Sequence, residues 1–182
     1  MKKVVSLLVV VLLVAAMAMT AVAEGVPSKT TGDMYDSKVI SGDAEGMAIV
    51  PLTDKQQPLF ETISDFINKL AGKVVDFFGA DAKDAIAKLL PDVDVDALEI
   101  AEAGTVIGYE NAKGEVVVEA TFPEEFAADD KVVTVLGTYG GADATWTALK
   151  TEVVDGKVQV TFPQEAIEAL QGSDNNIVLI LK

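Results

Sequence analysis

The stretch VVVEATFPEEF at residues 116–126 returns as VQVTFPQEAI at residues 158–167, with the two prolines 40 positions apart. In the first copy Val116, Val118, Ala120 and Phe122 fall on one face of an extended chain, and in the second Val158, Val160 and Phe162 do. From the turn glycine to the proline is nine residues in one copy, Gly114 to Pro123, and seven in the other, Gly156 to Pro163. The difference is even, and side chains alternate across a strand, so both Phe residues point to the same side as the valines before them. Proline cannot donate to a ladder, so each strand ends there. The acids and amides that follow, Glu124 and Glu125 or Gln164 and Glu165, suit the first turn of a short helix. In the second copy Ala166, Ile167 and Leu170 supply an apolar side and Gly172 a stop. A strand is expected after each crossover, over 132–136 and over 177–181. The repeated unit is strand, Phe-Pro corner, crossover, strand, and two of them predict two stacked sheets.

Period-two patterning extends from residue 97 to the C-terminus. LEIAEAGTVIGYENAKGEVVVEATFP reads as one or two strands, a glycine-bearing turn over 111–114 and a further strand. Hairpins are expected around Gly140-Gly141 and at Asp155-Gly156, the latter a dipeptide suited to a turn with two positive φ angles. NNIVLILK is apolar at successive positions, which fits a central strand buried on both faces. About seven strands result, an Ig-like antiparallel β-sandwich over residues 97–182.

Upstream the period is helical. Leu59, Phe60, Ile63, Phe66, Ile67, Leu70, Val74, Phe77 and Phe78 recur at helix spacing, with Thr53 and Gln56 set for a capping box and Gly79 closing the segment. A second helix from Asp81 stops before Pro91, with Ala82, Ala85, Ile86 and Leu89 on one side. Residues 54–91 therefore read as a helical hairpin, and the whole fold as α+β.

The chain opens MKKVVSLLVVVLLVAAMAMTAVAEG: two lysines, an apolar run, and small residues ahead of Glu24. That order is the pattern of a signal peptide over residues 1–23, cleaved near Ala23-Glu24. A retained anchor is the alternative, since 20 residues suffice to span a bilayer. Residues 24–53 read as an extended arm or linker with one short strand near Met47–Leu52. With no cysteine there is no disulfide, a usage at home in exported bacterial proteins.

Fourteen basic and 29 acidic side chains give a net charge of −15. Such a surface repels phosphate backbones and anionic lipids, so nucleic acid is not an expected partner, and a membrane is one only through an uncleaved signal segment. All the basic residues are lysines, which removes the bidentate arginine fork, and the absence of histidine removes the usual near-neutral base.

In PDVDVDALEIAEAG, counted as a calcium loop from Asp92, Asp94 and Asp96 fill positions three and five. Ala97 and Ala103 stand where the loop needs Gly and Glu. A looser calcium site of Asp92, Asp94, Asp96 and Glu99 is set against a solvated linker, the plainer reading. No Gly-x-Ser-x-Gly or Ser-x-x-Lys occurs, and Gly72-Lys73 lacks the rest of a phosphate loop. A glycan-directed hydrolase needs only two carboxylates, so the acid content keeps that class open. Trp146, the only tryptophan, and Tyr139 across the glycine turn are the candidates for a sugar-binding platform, with a core plug as the simpler role for the Trp. No cofactor is called for.

The C-terminal pattern, with VPSKTT following the signal segment, resembles uncharacterised small secreted β-sandwich proteins of Gram-positive anaerobic bacteria. The resemblance implies export and a sandwich, and it brings no functional residues with it. The expectation is a secreted, non-catalytic binding or structural protein of the cell envelope or extracellular space, with a protein or a cell-wall glycan as partner.

Overall fold

Both corner phenylalanines point inward: Phe162 is fully buried and Phe122 is 7% exposed, both in one core with Val116, Val118, Ala120, Val158 and Val160. A computed structural model describes residues 35–54, 56–69, 73–140 and 143–182 of the chain. The expected signal peptide and residues 24–34 of the arm lie outside the described residues.

The elements run β1 (Asp36–Asp43), β2 (Ala48–Pro51), α1 (Gln57–Lys69), α2 (Val74–Phe77), α3 (Ala80–Leu89), a 3-10 turn (Val95–Ala97), β3 (Ile100–Ile107), β4 (Lys113–Thr121), β5 (Val133–Gly140), β6 (Asp143–Leu149), β7 (Thr151–Val154), β8 (Lys157–Phe162), α4 (Gln164–Gln171) and β9 (Asn175–Leu181). Two antiparallel sheets result, a four-stranded one ordered β1-β4-β8-β7 and a five-stranded one ordered β2-β3-β9-β5-β6. Each Phe-Pro corner carries the chain from the first sheet to the second. The two copies are antiparallel neighbours in both, β4 against β8 and β5 against β9. The repeat therefore builds a local two-fold relation at the centre of the sandwich.

Helices make a third layer. Strand β9 is central and buried on both faces: Val178 and Ile180 join the core between the sheets, while Ile177, Leu179 and Leu181 face α1, α2 and α3 in a second core with Ile63, Val75, Phe78 and Ile86. Burying one such side chain contributes about 1.5–3 kcal/mol, which is why a strand with no polar alternation is stable only in the middle layer.

Several expectations are corrected. The arm, residues 24–53, is not a linker in its described part: besides the expected short strand, which is β2 and pairs with β3, it holds β1, which pairs with β4, and among the described residues these two join the seven strands expected after residue 97, so the sandwich begins well before that point. β1 escaped the period-two reading because it is an edge strand with register shifts on both sides of Ser41, which interrupt the alternation. Among the described residues the helical hairpin of 54–91 is three helices. Lys73 is extended, with φ −80° and ψ 147°, and that ends any continuous run to Phe78. Leu89, read as inward, is 39% exposed. The first corner forms no helix. After Pro123 only Phe126 is available as an apolar anchor, whereas Ala166, Ile167 and Leu170 all bury one side of α4.

Other local signals work as written. The Gln56 side chain accepts from the Thr53 N–H at 3.0 Å, the reciprocal bond of a capping box, at the start of α1. Asp155 and Gly156 both have positive φ, 53° and 77°, and close the β7–β8 hairpin.

Candidate functional site

The two sheets are covered differently, and that locates the candidate surface. The five-stranded sheet has the helices on one side and the four-stranded sheet on the other. The four-stranded sheet has no layer on its outer face among the described residues.

Alternation along β4 and β8 sends Glu115, Val117 and Glu119, and Lys157, Gln159 and Thr161, to that outer face while the valines go inward. Register aligns Lys38 of β1, Glu119 of β4, Gln159 of β8 and Glu152 of β7 in one row across the sheet. Glu119 is the hub. It accepts hydrogen bonds from Gln159 Nε2 at 3.0 Å and Lys157 Nζ at 3.2 Å, and Lys38 Nζ stands 3.4 Å away. Its side chain is 13% exposed. The amide of Gln159, then the ammonium of Lys157, hold its carboxyl below the ordinary carboxylate range.

Beside the hub lies a hollow of about 330 Å³, lined by Ile40, Ser41, Glu115, Val117, Lys150, Glu152, Gln159 and Thr161. Lys150 Nζ is 2.7 Å from Glu152 Oε1, and that bond raises the Lys150 pKa. The lining can donate and accept hydrogen bonds and offers aliphatic contact from Ile40 and Val117. It has no aromatic plane for a sugar ring to stack on.

The residues singled out from sequence lie elsewhere. Trp146 packs edge-on to Phe77 at 5.6 Å and tilted over Phe78 at 4.9 Å, with Tyr139 at 6.0 Å, all between the five-stranded sheet and the helices. Its indole lies across Gly137 on β5, where a Cβ would come within 2.5 Å of the ring, so the glycine makes room for it. The Tyr139 hydroxyl is buried with no hydrogen-bond partner among the described residues, and burial pushes its pKa up. Both rings are partly buried and pack against the second core.

The four acids proposed for calcium are not gathered. The Asp94 carboxylate accepts from the Asp96 N–H at 3.1 Å, and Asp96 is paired with Lys83 and, at 3.0 Å, with Lys73. Lys83, then Lys73, hold the Asp96 carboxyl below its usual range. Glu99 exchanges backbone hydrogen bonds with Lys182, and Asp92 lies exposed in a turn. Among the described residues no group of three or more acidic, histidine or cysteine side chains is placed to hold a metal ion.

The buried polar residues are structural. Gln56 Nε2 donates to Thr105 Oγ1 at 3.2 Å and Asn175 Oδ1 at 2.8 Å, tying the start of α1 to β3 and β9. Asn176 Oδ1 accepts from Thr105 Oγ1 at 3.0 Å and from the Val106 N–H at 2.7 Å. Glu102, 1% exposed, accepts from the Glu124 N–H at 2.9 Å just after the first corner. Tyr35 donates to the Ala103 carbonyl at 2.8 Å and packs on Phe122 at 4.7 Å; burial, and then the Glu102 charge, raise its pKa.

The outer-face residues carry a sequence signal of their own. The polar positions Lys157, Gln159 and Thr161 alternate with the apolar ones used to find the strand, and the same alternation assigns them to solvent. Only the strand order shows that β1 and β7 complete the surface. Comparison with known protein families, curated proteins and solved structures finds no match to this chain.

Proposed function

We propose that the chain is an exported, non-catalytic binding or structural protein of the bacterial cell envelope or extracellular space, and that it meets its partner through the outer face of the four-stranded sheet. The observation that carries this is the unequal covering of the two sheets. The five-stranded sheet is closed on both sides, while the four-stranded one leaves outside a polar row around Glu119 and a hollow with Ile40 and Val117 at hand. The mixed lining suits a polar partner, a protein surface or a cell-wall glycan, better than an apolar ligand.

The Ig-like part of the reading is supported by strand order. A four-stranded sheet ordered β1-β4-β8-β7 has the connectivity of the A-B-E-D sheet of that plan, and β9-β5 stand as F and C. The place of the last strand is taken by β3, which comes earlier in the chain. Export rests on the signal pattern of residues 1–23 and on the resemblance to small secreted proteins of Gram-positive anaerobes.

The test is co-sedimentation of the purified exported chain with isolated cell walls and with wall-associated protein, using Glu152→Lys and Gln159→Lys as face variants. Both change outward side chains and should leave the fold intact. Binding that weakens about tenfold, a loss near 1.4 kcal/mol, supports the reading. No binding to either fraction, or binding indifferent to both variants, overturns the site. Release of new reducing ends from wall glycan would overturn the non-catalytic assignment.

A further inference from the structure

We infer that strand β6, an outer strand of the five-stranded sheet with no strand beyond it among the described residues, is a self-association surface on which a second copy of this chain pairs antiparallel about a two-fold axis at Trp146. An edge strand presents unpaired backbone N–H and C=O groups, and proteins ordinarily blunt such edges. Of the four sheet edges among the described residues, three are blunted. β1 carries Lys38 and two register shifts, β2 is four residues ending in Pro51, and β7 is four residues with an exposed Glu152. β6, Asp143–Leu149, is seven residues long, with no proline and no charged residue from 144 to 149.

Its sequence names the partner. Ala144-Thr145-Trp146-Thr147-Ala148 reads the same in both directions. Antiparallel pairing centred on Trp146 therefore sets Thr145 against the partner's Thr147 and Ala144 against the partner's Ala148, each pair twice. Thr–Thr pairs are favourable across strands, and no like charges meet. Such self-complementarity is what a two-fold interface requires. The axis maps residues 144, 146 and 148 onto themselves as a set, and 145 and 147 likewise, so outward donors meet outward acceptors whichever set faces the edge. The indole does not obstruct the seam, because it lies over Gly137 on the inner neighbour β5. Ala144 and Thr145 are exposed. This inference uses a different surface from the open face and stands independently of the proposed function.

The experiment is analytical ultracentrifugation of the full chain as exported, with Trp146 emission as the check on folding. The parent should show a concentration-dependent dimer that tightens as salt screens the negative net charge, which loss of Lys2 and Lys3 with the signal segment makes larger than in the full sequence. Thr145→Lys with Thr147→Lys puts lysine against lysine twice and should raise the dimer Kd about tenfold or more. Thr145→Glu with Thr147→Lys makes two opposite-charge pairs in this register and should restore the parent Kd. Thr145→Lys alone, at an exposed position, is the milder form if the double lysine variant fails to fold, and should weaken the dimer in the same direction. A monomer at every soluble concentration overturns the inference, as does a dimer indifferent to these lysines. Failure of the Glu/Lys combination to restore pairing overturns the register, and a monomeric chain that takes up an extended peptide on β6 overturns the choice of partner.

Discussion

The two Phe-Pro corners begin alike and end differently. At the second, Pro163 opens α4, and Ala166, Ile167 and Leu170 bury its inner side before β9 begins. At the first, the chain after Pro123 stays irregular. It is held by Phe126 in the core, by the Glu102 carboxylate on the Glu124 N–H, and by Lys182, which stands over the Phe126 ring at 5.4 Å and 3.4 Å from Asp130. Both routes deliver a strand to the same sheet, and the two strands pair. The corner is thus defined by the inward Phe and the strand-ending Pro, and the crossover takes whatever form its own apolar residues can support.

Four measurements would break or sharpen this comparison. The largest effect should come from the shared element: Phe162→Ala should cost about 3–5 kcal/mol in denaturant unfolding. Phe122→Ala should cost less, since Phe122 is at the rim and 7% exposed. Equal losses would mean that the two corners are anchored alike. Next, Ile167→Ala removes the helix anchor and should cost about 2–5 kcal/mol, with faster hydrogen exchange over 164–171 and no change over 123–130.

Glu102→Ala attacks the other crossover. It leaves the Glu124 N–H without its acceptor and should cost about 1–3 kcal/mol, with exchange rising over 123–130 and not over 164–171. The reverse pattern would show that Glu102 serves the sheet rather than the corner.

The smallest effect concerns the bond between the copies, Glu119 of β4 with Lys157 and Gln159 of β8. The folded carboxyl titrates below its ordinary range. Its contribution is therefore complete above the unfolded value and is lost as pH falls through the lowered folded value. Acid unfolding of the parent, followed by Trp146 emission, should lose this contribution across that window, and Glu119→Gln should flatten the slope there. An unchanged slope would remove Glu119 from the interaction.

Much of this fold was legible in the residues, and the reason is parity. Alternation decides which side chains go inward without reference to anything distant, so Phe122, Phe162, the Asp155-Gly156 hairpin and the doubly buried β9 could all be read from short windows. β1 could not, because its bulges break the alternation and its pairing with β4 joins residues about 80 positions apart in register. The candidate site was half legible. Lys157, Gln159 and Thr161 are assigned outward by the same rule, but the hollow needs Ile40 from β1 and Glu152 from β7, brought together by sheet order.

What this sequence determined by itself is the set of strands with clean alternation, their turns, and the inward direction of the repeated Phe. The tertiary structure alone decided which sheet each strand joins and that the first crossover is tied by Glu102 rather than coiled into a helix. It also decided that Trp146 packs against Phe77 and Phe78. Local periodicity is a property of neighbouring residues, whereas sheet partnership and burial depend on contacts between segments far apart in the chain, and only the folded chain brings those into range.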